Sequence, residues 1–395
     1  YNFPFLIASI LMVINCLFIT LRTDFTNNQD PSLAWIGLFN WIPLFFCIWA
    51  FKPYLNSANS RKQILLILLS GSVPLILSGF LQVFFNIHGP FKILNGFVIW
   101  FQRGYQPGLT GLFNNRNYAS SWYSLLWPIC LAIISQNKEE KGYKKLIKYL
   151  FSVTILVSLY LTFSRNGYIN LFLSSVIFLK SSLSVWIIIL MITFSVLIFA
   201  AKTNIFPLGF QELANNILPE KILSRFSSIE NLDNIYNSPR LLIWSNAIDL
   251  IKERPLLGWG AASFPILSKM KNDICCTISF GQWYGHTHNL QIEMALNYGL
   301  FFSLLVNLTL IYIFIRSFKK IFINKIRNID IDTKNILKFE NAWWICSFSL
   351  FFSQLFDIQY YDLRISLIFW IFISGLISKL QESNKEIKKF KKSKI

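Results

Sequence analysis

The sequence is short of charge. Only 14% of its 395 residues are Asp, Glu, Lys or Arg, against roughly 25% in an ordinary soluble domain. Apolar runs of about 17 residues or more, enough to cross a hydrocarbon core of about 30 Å, recur along most of the chain. Together these exclude a soluble globular enzyme. The runs lack the apolar/polar alternation of barrel strands, which excludes a transmembrane β-barrel. Cysteine is scarce and unpatterned: Cys16, Cys47, Cys130, Cys275, Cys276 and Cys346 contain no CxxC. Four of them lie inside apolar runs as small hydrophobes. Cys275 and Cys276 are neighbours in a polar loop, where a disulfide between them would be strained. The three histidines and these cysteines show no spacing of a metal site. Acids are fewer than bases, 19 against 37, for a formal charge of +18. On a soluble chain that excess would suggest nucleic acid; on a membrane chain its distribution matters more than its sum. The first residue is Tyr rather than Met, which predicts that one or more helices precede this sequence.

What is present reads as an all-α polytopic membrane protein. Ten apolar stretches are expected to span, at 3–21, 33–51, 64–87, 118–135, 146–163, 166–180, 184–201, 289–316, 341–356 and 363–379. Numbering the connections alternately separates two sets. One set, made of 52–63, 136–148, 180–183, 316–340 and the tail from 379, carries 23 Lys and Arg. The other, made of 22–32, 88–117, 164–165, 202–288 and 357–364, carries 14 over many more residues. The positive-inside rule makes the first set cytoplasmic and the second outer. The basic tail is a solvated end that can touch anionic lipid.

The outer set holds the candidate chemistry. In "YLTFSRNGYINLF", Arg165 sits where one helix ends and the next begins, with Gly167 read as permitting the turn. An Arg at membrane depth needs a partner or a wet cavity, or snorkels to headgroups. In "NSPRLLIWSNAIDLIKERPLLGWG", Ser238 and Pro239 read as a helix start. Leu241, Trp244, Ile248 and Ile251 read as one apolar face, and Gly258 and Gly260 as a tight turn beyond. Arg240 falls in the first turn, where the macrodipole disfavours a cation, so it reads as part of an anion site. "GLFNNRNYASSW" supplies Asn114, Asn115, Arg116 and Asn117, read as a turn and helix cap with one more cation. "WYGHTHNLQIEMALNYGL" places His286 and His288 two positions apart at a helix start, with Asn289 next. A neutral imidazole can deprotonate an attacking hydroxyl, and guanidinium groups such as those of Arg103, Arg116, Arg165 and Arg240 bind phosphate bidentately. Glu293, one turn further, reads as a partner for a nearby Arg.

These stretches resemble the O-antigen ligase and polymerase superfamily of bacterial envelope glycosyltransferases. "SRNG", "SPRLLIWSNAIDLIKERPLLGWG" and "HTHNLQIEMALNYGL" look like its conserved elements in order, and "GLFNNRN" is similar to its G-x-F-x-N-x-N element. The resemblance covers about 150–301. It divides the chain into an N-terminal transmembrane region (1–149), a ligase-like core (150–301) with a large periplasmic loop (202–288), C-terminal helices (302–380) and a basic cytoplasmic tail (381–395). It implies a C-type glycosyltransferase fold in the bacterial inner membrane, with the active site facing the periplasm. It also implies metal-independent, inverting transfer of a glycan from undecaprenyl pyrophosphate to an acceptor hydroxyl, such as that of lipid A-core, with no cofactor. Arg165 and Arg240 would bind the pyrophosphate and His288 would be the base. His286, Asn289, Arg116 and Asn117 would support them. A lone displacement with one base inverts the anomeric centre, and no second carboxylate is arranged as a nucleophile. Two departures stand out: members often have about twelve spans, and "NNRN" replaces the commoner N-P-N.

Two other functions fit the same resemblance. A polymerase uses the same donor with a second lipid-linked repeat as acceptor. Some proteins with this domain are bicarbonate-transport associated. Transporters commonly set ionisable residues at mid-membrane, often with internal repeats, whereas the charges here gather at the outer rim and no repeat is visible.

Overall fold

Each of the ten apolar stretches is helical in the computed structural model, which describes residues 2–21, 31–100, 102, 104, 108–136, 142–179, 182–202, 206–218, 223, 239–274, 285–323 and 331–392. In chain order the elements are α1 (Phe3–Leu21), α2 (Ser32–Phe39), α3 (Ile42–Phe51), α4 (Ala58–Gly71), α5 (Val73–Phe84), β1 (Phe91–Ile93) and β2 (Val98–Trp100). Then come α6 (Arg116–Ile134), α7 (Gly142–Leu161), α8 (Arg165–Leu179), α9 (Ser182–Lys202), α10 (Leu208–Ile217), α11 (Pro239–Glu253) and α12 (Phe264–Ile274). The last four are α13 (Leu290–Tyr298), α14 (Leu300–Phe318), α15 (Ile331–Ser353) and α16 (Leu363–Lys392). Three of the expected stretches are broken. Pro43 and Pro74 open α3 and α5, where a residue without an N–H costs nothing at the first helical turn. Gly299 separates α13 from α14 with φ +91°. The departure from all-α among the described residues is a two-stranded antiparallel hairpin, with Phe91 opposite Trp100 and Ile93 opposite Val98.

By length and hydropathy, five segments of the described residues can cross a membrane: Phe3–Leu21, Ser32–Leu55, Ala58–Phe84, Leu300–Ile323 and Leu363–Glu382. The helices α6 and α15 fall short of that measure in hydropathy and α8 in length, at 15 residues; the three pack on one another inside the bundle and use polar residues to do it. Lipid gives helices no hydrophobic reason to associate, so close contact through small and hydroxylic residues must hold them. Ser174 meets Ser349 at 3.0 Å, and the Trp127 indole donates to Ser175 at 2.8 Å. Gly167, expected in a turn, lies buried in α8, where an added Cβ would come within 2.9 Å of Ser120 and Leu159. It allows α8 to approach α6 and α7. The turn before α8 is made instead by Phe163, at φ +49°.

Described members of each set of connections are tied to one another. At the lysine-rich end, buried Arg61 of α4 pairs with Glu340 of α15 at 2.8 Å and with Glu382 of α16 at 2.7 Å. Lys379 of α16 completes the group with Glu340 and Glu382. At the loop-rich end, α11 packs on α12 and on the short helix α13 through Ile243, Ala247, Leu250 and Ile251. That face differs from the expected one: Leu241 and Ile248 are exposed. The helix is apolar on more than one side, so spacing alone does not select its inner face. Gly258 and Gly260 form the expected turn, at φ +69° and +94°, where Trp259 and Gly260 donate to the carbonyls of Leu296 and Asn297.

Candidate active site

Helix α13 starts under tight control. The Asn289 side chain accepts hydrogen bonds from the N–H groups of Gln291 and Ile292, a cap of the kind worth about 1 kcal/mol. His288, just before it, has φ +56°, a conformation that a non-glycine residue holds only when its surroundings impose it. Thr287 imposes much of it. Its N–H donates to Glu293 at 2.9 Å, its hydroxyl to the Asn289 carbonyl at 2.9 Å, and its own carbonyl accepts from the Trp244 indole at 3.0 Å. Glu293 therefore fastens this turn, with Asn297 as its second donor, rather than meeting an Arg as expected.

The same helix start is stapled to the loop between α15 and α16. Leu290 N–H donates to the Gln354 carbonyl, and the Asn289 side chain to the Leu355 carbonyl, both at 3.0 Å. From the other side, Tyr118 donates to the Ile358 carbonyl at 2.9 Å and Asn166 to the Ser353 carbonyl at 3.2 Å. Between these staples Asp357 points at the histidine turn. Its Oδ1 lies 2.9 Å from His288 Nδ1, and its Oδ2 accepts from the Asn117 amide at 2.7 Å. Asn117 in turn accepts from the Ser164 hydroxyl at 3.0 Å. One chain of hydrogen bonds thus runs Ser164, Asn117, Asp357, His288 through four different connections.

The electrostatics assign the protons. Burial works against a charge on Asp357, but the hydrogen bonds from His288 and Asn117 outweigh it and hold the carboxyl below its ordinary range. An ionised carboxylate only accepts, so His288 Nδ1 carries the shared proton, and in the neutral form of the ring the lone pair then falls on Nε2. His286 accepts the His288 backbone N–H on its Nδ1 at 3.2 Å, with the two rings 4.3 Å apart. Burial first, and the neighbouring His288 second, depress His286 to about 4. It is a neutral support for the turn.

Two of the expected cations adjoin this network along the chain. Arg165 follows Ser164 directly and is exposed at the first position of α8. Arg116 precedes Asn117, and its Cδ would lie 3.4 Å from a Cβ built on Gly108. Arg240 stands one helical turn before Trp244 on the same side of α11, and that indole reaches Thr287. Arg103, Ser238, Cys275 and Cys276 lie outside the described residues.

His286, His288 and Asp357 each offer one ligand atom, all within 4.8 Å of one another, so these are the residues that would hold a cation. Sequence spacing gave no hint of this trio. Some of its donor atoms are engaged, with His286 Nδ1 on a backbone N–H and Asp357 on His288, Asn117 and the Ile358 N–H, whereas the Nε2 atoms of the two rings take no part in these bonds.

Asp357 is the residue that sequence reasoning passed over. A signal was there: a lone carboxylate in the apolar run "FFSQLFDIQYY", at the edge of an expected span, where an acid is a functional hypothesis by default.

Residues 150–306, from within α7 to within α14, match the O-antigen ligase family, against the 150–301 expected from the motifs. No curated protein matches the chain. The matched stretch holds Ser164, Arg165, Arg240, His286 and His288, while Asn117 and Asp357 reach the same network from outside it. Through that central region, this helical membrane protein is similar to the O-antigen ligase family.

Proposed function

We propose that the chain transfers a glycan from an undecaprenyl-pyrophosphate donor to an acceptor hydroxyl on the periplasmic face of the inner membrane, with inversion and without a metal. The observation that carries this reading is the His288–Asp357 pair; His288, Arg165 and Arg240 lie within the family-matched region, and Asp357 and Arg116 outside it. With Nδ1 tied to Asp357, the His288 Nε2 takes the proton of the acceptor hydroxyl as its oxygen attacks the anomeric carbon. The bond from that carbon to the pyrophosphate oxygen breaks, and the lipid pyrophosphate leaves with the electron pair. Arg165 and Arg240 neutralise the charge that gathers there, which is where fixed cations accelerate such a step most. Asp357 stabilises the imidazolium formed in passing and keeps the ring in the working tautomer.

Transfer from a purified lipid-linked glycan tests this, with lipid A-core or a second lipid-linked glycan offered as acceptor. His288→Ala should lose on the order of 10²–10⁴ in rate, the usual worth of a general base. His286→Ala should lose less, and the wild type should be indifferent to EDTA. Use of the second acceptor alone would make the protein a polymerase. A fully active His288→Ala protein would remove the base from the mechanism, and inhibition by EDTA would put a metal on the His286–His288–Asp357 trio.

A further inference from the structure

The hairpin of β1 and β2 takes no part in the site, yet it carries some of the most exposed apolar side chains described. Leu94 is 72% and Phe97 88% exposed, with Ile93 at 50%. On a water-facing loop such a tip would be an aggregation hazard. Its position gives it another neighbour. The segment Ala58–Phe84 is 27 residues long and rises about 40 Å, several ångströms more than the hydrocarbon core of about 30 Å. The hairpin follows directly, beyond the end of that apolar segment.

The lipid-facing surface of α5 continues into it. Leu77, Leu81 and Phe84 recur at helical spacing, all exposed, opposite the buried Leu75, Ile76 and Gly79. Phe85 and Ile87 extend this stripe to the foot of the hairpin. The segments that flank the hairpin are tied to α5 and to each other. Gln82 binds the Thr110 hydroxyl and the N–H groups of Thr110 and Gly111, while Ser78 donates to Gln102, whose carbonyl accepts from Gly89. Strand pairing satisfies the groups that face between β1 and β2, while the outer edge of each strand stays open, so the hairpin suits the wet headgroup boundary rather than the hydrocarbon core. Phe91 and Ile93 share one face and exposed Lys92 the other. A lysine so placed can bury its stem and keep its ammonium among phosphates.

We propose that this hairpin is an interfacial anchor: its tip, Ile93, Leu94 and Phe97, inserts into the boundary between headgroups and acyl chains of the leaflet on the His288 side. The partner is the lipid surface itself. The anchor fixes how far the His288 end stands from the bilayer, and it rests on the membrane position of α5 rather than on the transfer reaction.

The test uses the full chain in phosphatidylethanolamine/phosphatidylglycerol nanodiscs. An environment-sensitive fluorophore is attached to Leu94→Cys or Phe97→Cys, with the six native cysteines replaced. Lys252→Cys, whose side chain is 71% exposed, serves as the aqueous control. Both hairpin probes should be blue-shifted relative to the control. Lipids brominated near the top of the acyl chain should quench them more than lipids brominated near its end. Probes that match position 252 and ignore both lipids would overturn the anchor. Blue-shifted probes that neither lipid quenches would also overturn it, because protein would then cover the tip. A second measurement avoids the cysteine background. In native-cysteine protein, Leu94→Asp combined with Phe97→Asp should speed hydrogen exchange of residues 91–97 in nanodiscs and leave α6 and α15 unchanged. Unaltered exchange at the hairpin would contradict the proposal.

Discussion

The imidazole of His288 stands 2.9 Å from the carboxylate of Asp357, a residue 69 positions later in the chain. Asn117 holds the other carboxylate oxygen, so the acid is fixed before any substrate arrives. Asp357→Ala is therefore expected to lower kcat by a sizeable part of the roughly 10²–10⁴ that the base supplies. Asp357→Asn keeps an acceptor for Nδ1–H but not the charge, and should fall between. Thermal unfolding should be measured alongside, because the loop stapled by Tyr118, Asn166 and Asn289 keeps its own bonds in either variant. An Asp357→Ala enzyme with wild-type kcat would separate the dyad from the reaction.

Arg165 and Arg240, which are 75 positions apart, are expected to converge on one pyrophosphate. Arg→Lys at either place should cost about 10- to 100-fold, the worth of a charge-assisted hydrogen bond of about 1.5–3 kcal/mol, because an ammonium cannot reproduce the guanidinium fork. Each side chain reaches only about 6–7 Å. A donor-bound structure with the two guanidinium groups more than about 15 Å apart would rule out a shared ligand, and kinetics of the two Lys variants would give the complementary reading.

His286 makes folding sensitive to acid. Its pKa is depressed to about 4 in the folded protein, against 6.5 when free, so the unfolded chain binds the extra proton between those values. Stability should be full above about pH 6.5 and should decline as the pH falls towards 4. His286→Gln should flatten that part of the curve of Tm against pH. A slope unchanged by the substitution would place the acid sensitivity elsewhere.

Membrane sidedness follows from the 23-to-14 division of Lys and Arg between the two sets of connections. Single cysteines at 240 and 288 should react with an impermeant reagent added from the periplasmic side, and those at 325 and 390 should not. Labelling of 325 without 240 would invert the protein.

Helix positions were legible because apolar runs need no partner to be recognised. The breaks at Pro43, Pro74 and Gly299 were marked by the usual punctuating residues, but a run read for length absorbs them. The inner face of α11 was not legible, since Leu241 and Ile248 are as apolar as the buried Ile243 and Ala247. The hairpin carried its own signal, Asn95-Gly96 between apolar residues, which a reading for helices passes over. In the site, His288, Arg165 and Asn117 were visible through their local oddity. Asp357 was not, because its meaning depends on a contact that only the folded bundle creates.

The cluster at the lysine-rich end contains two cations, Arg61 and Lys379, and two anions, Glu340 and Glu382. Its formal charge is zero, so it can enter the low-dielectric interior as a unit. Losing one member strands a buried charge, at about 3–5 kcal/mol, whereas a matched pair can be replaced by apolar residues at little cost. Three helices, α4, α15 and α16, share this arithmetic. A change at Arg61 alone should be rescued by a second change at Glu340 rather than by anything near His288.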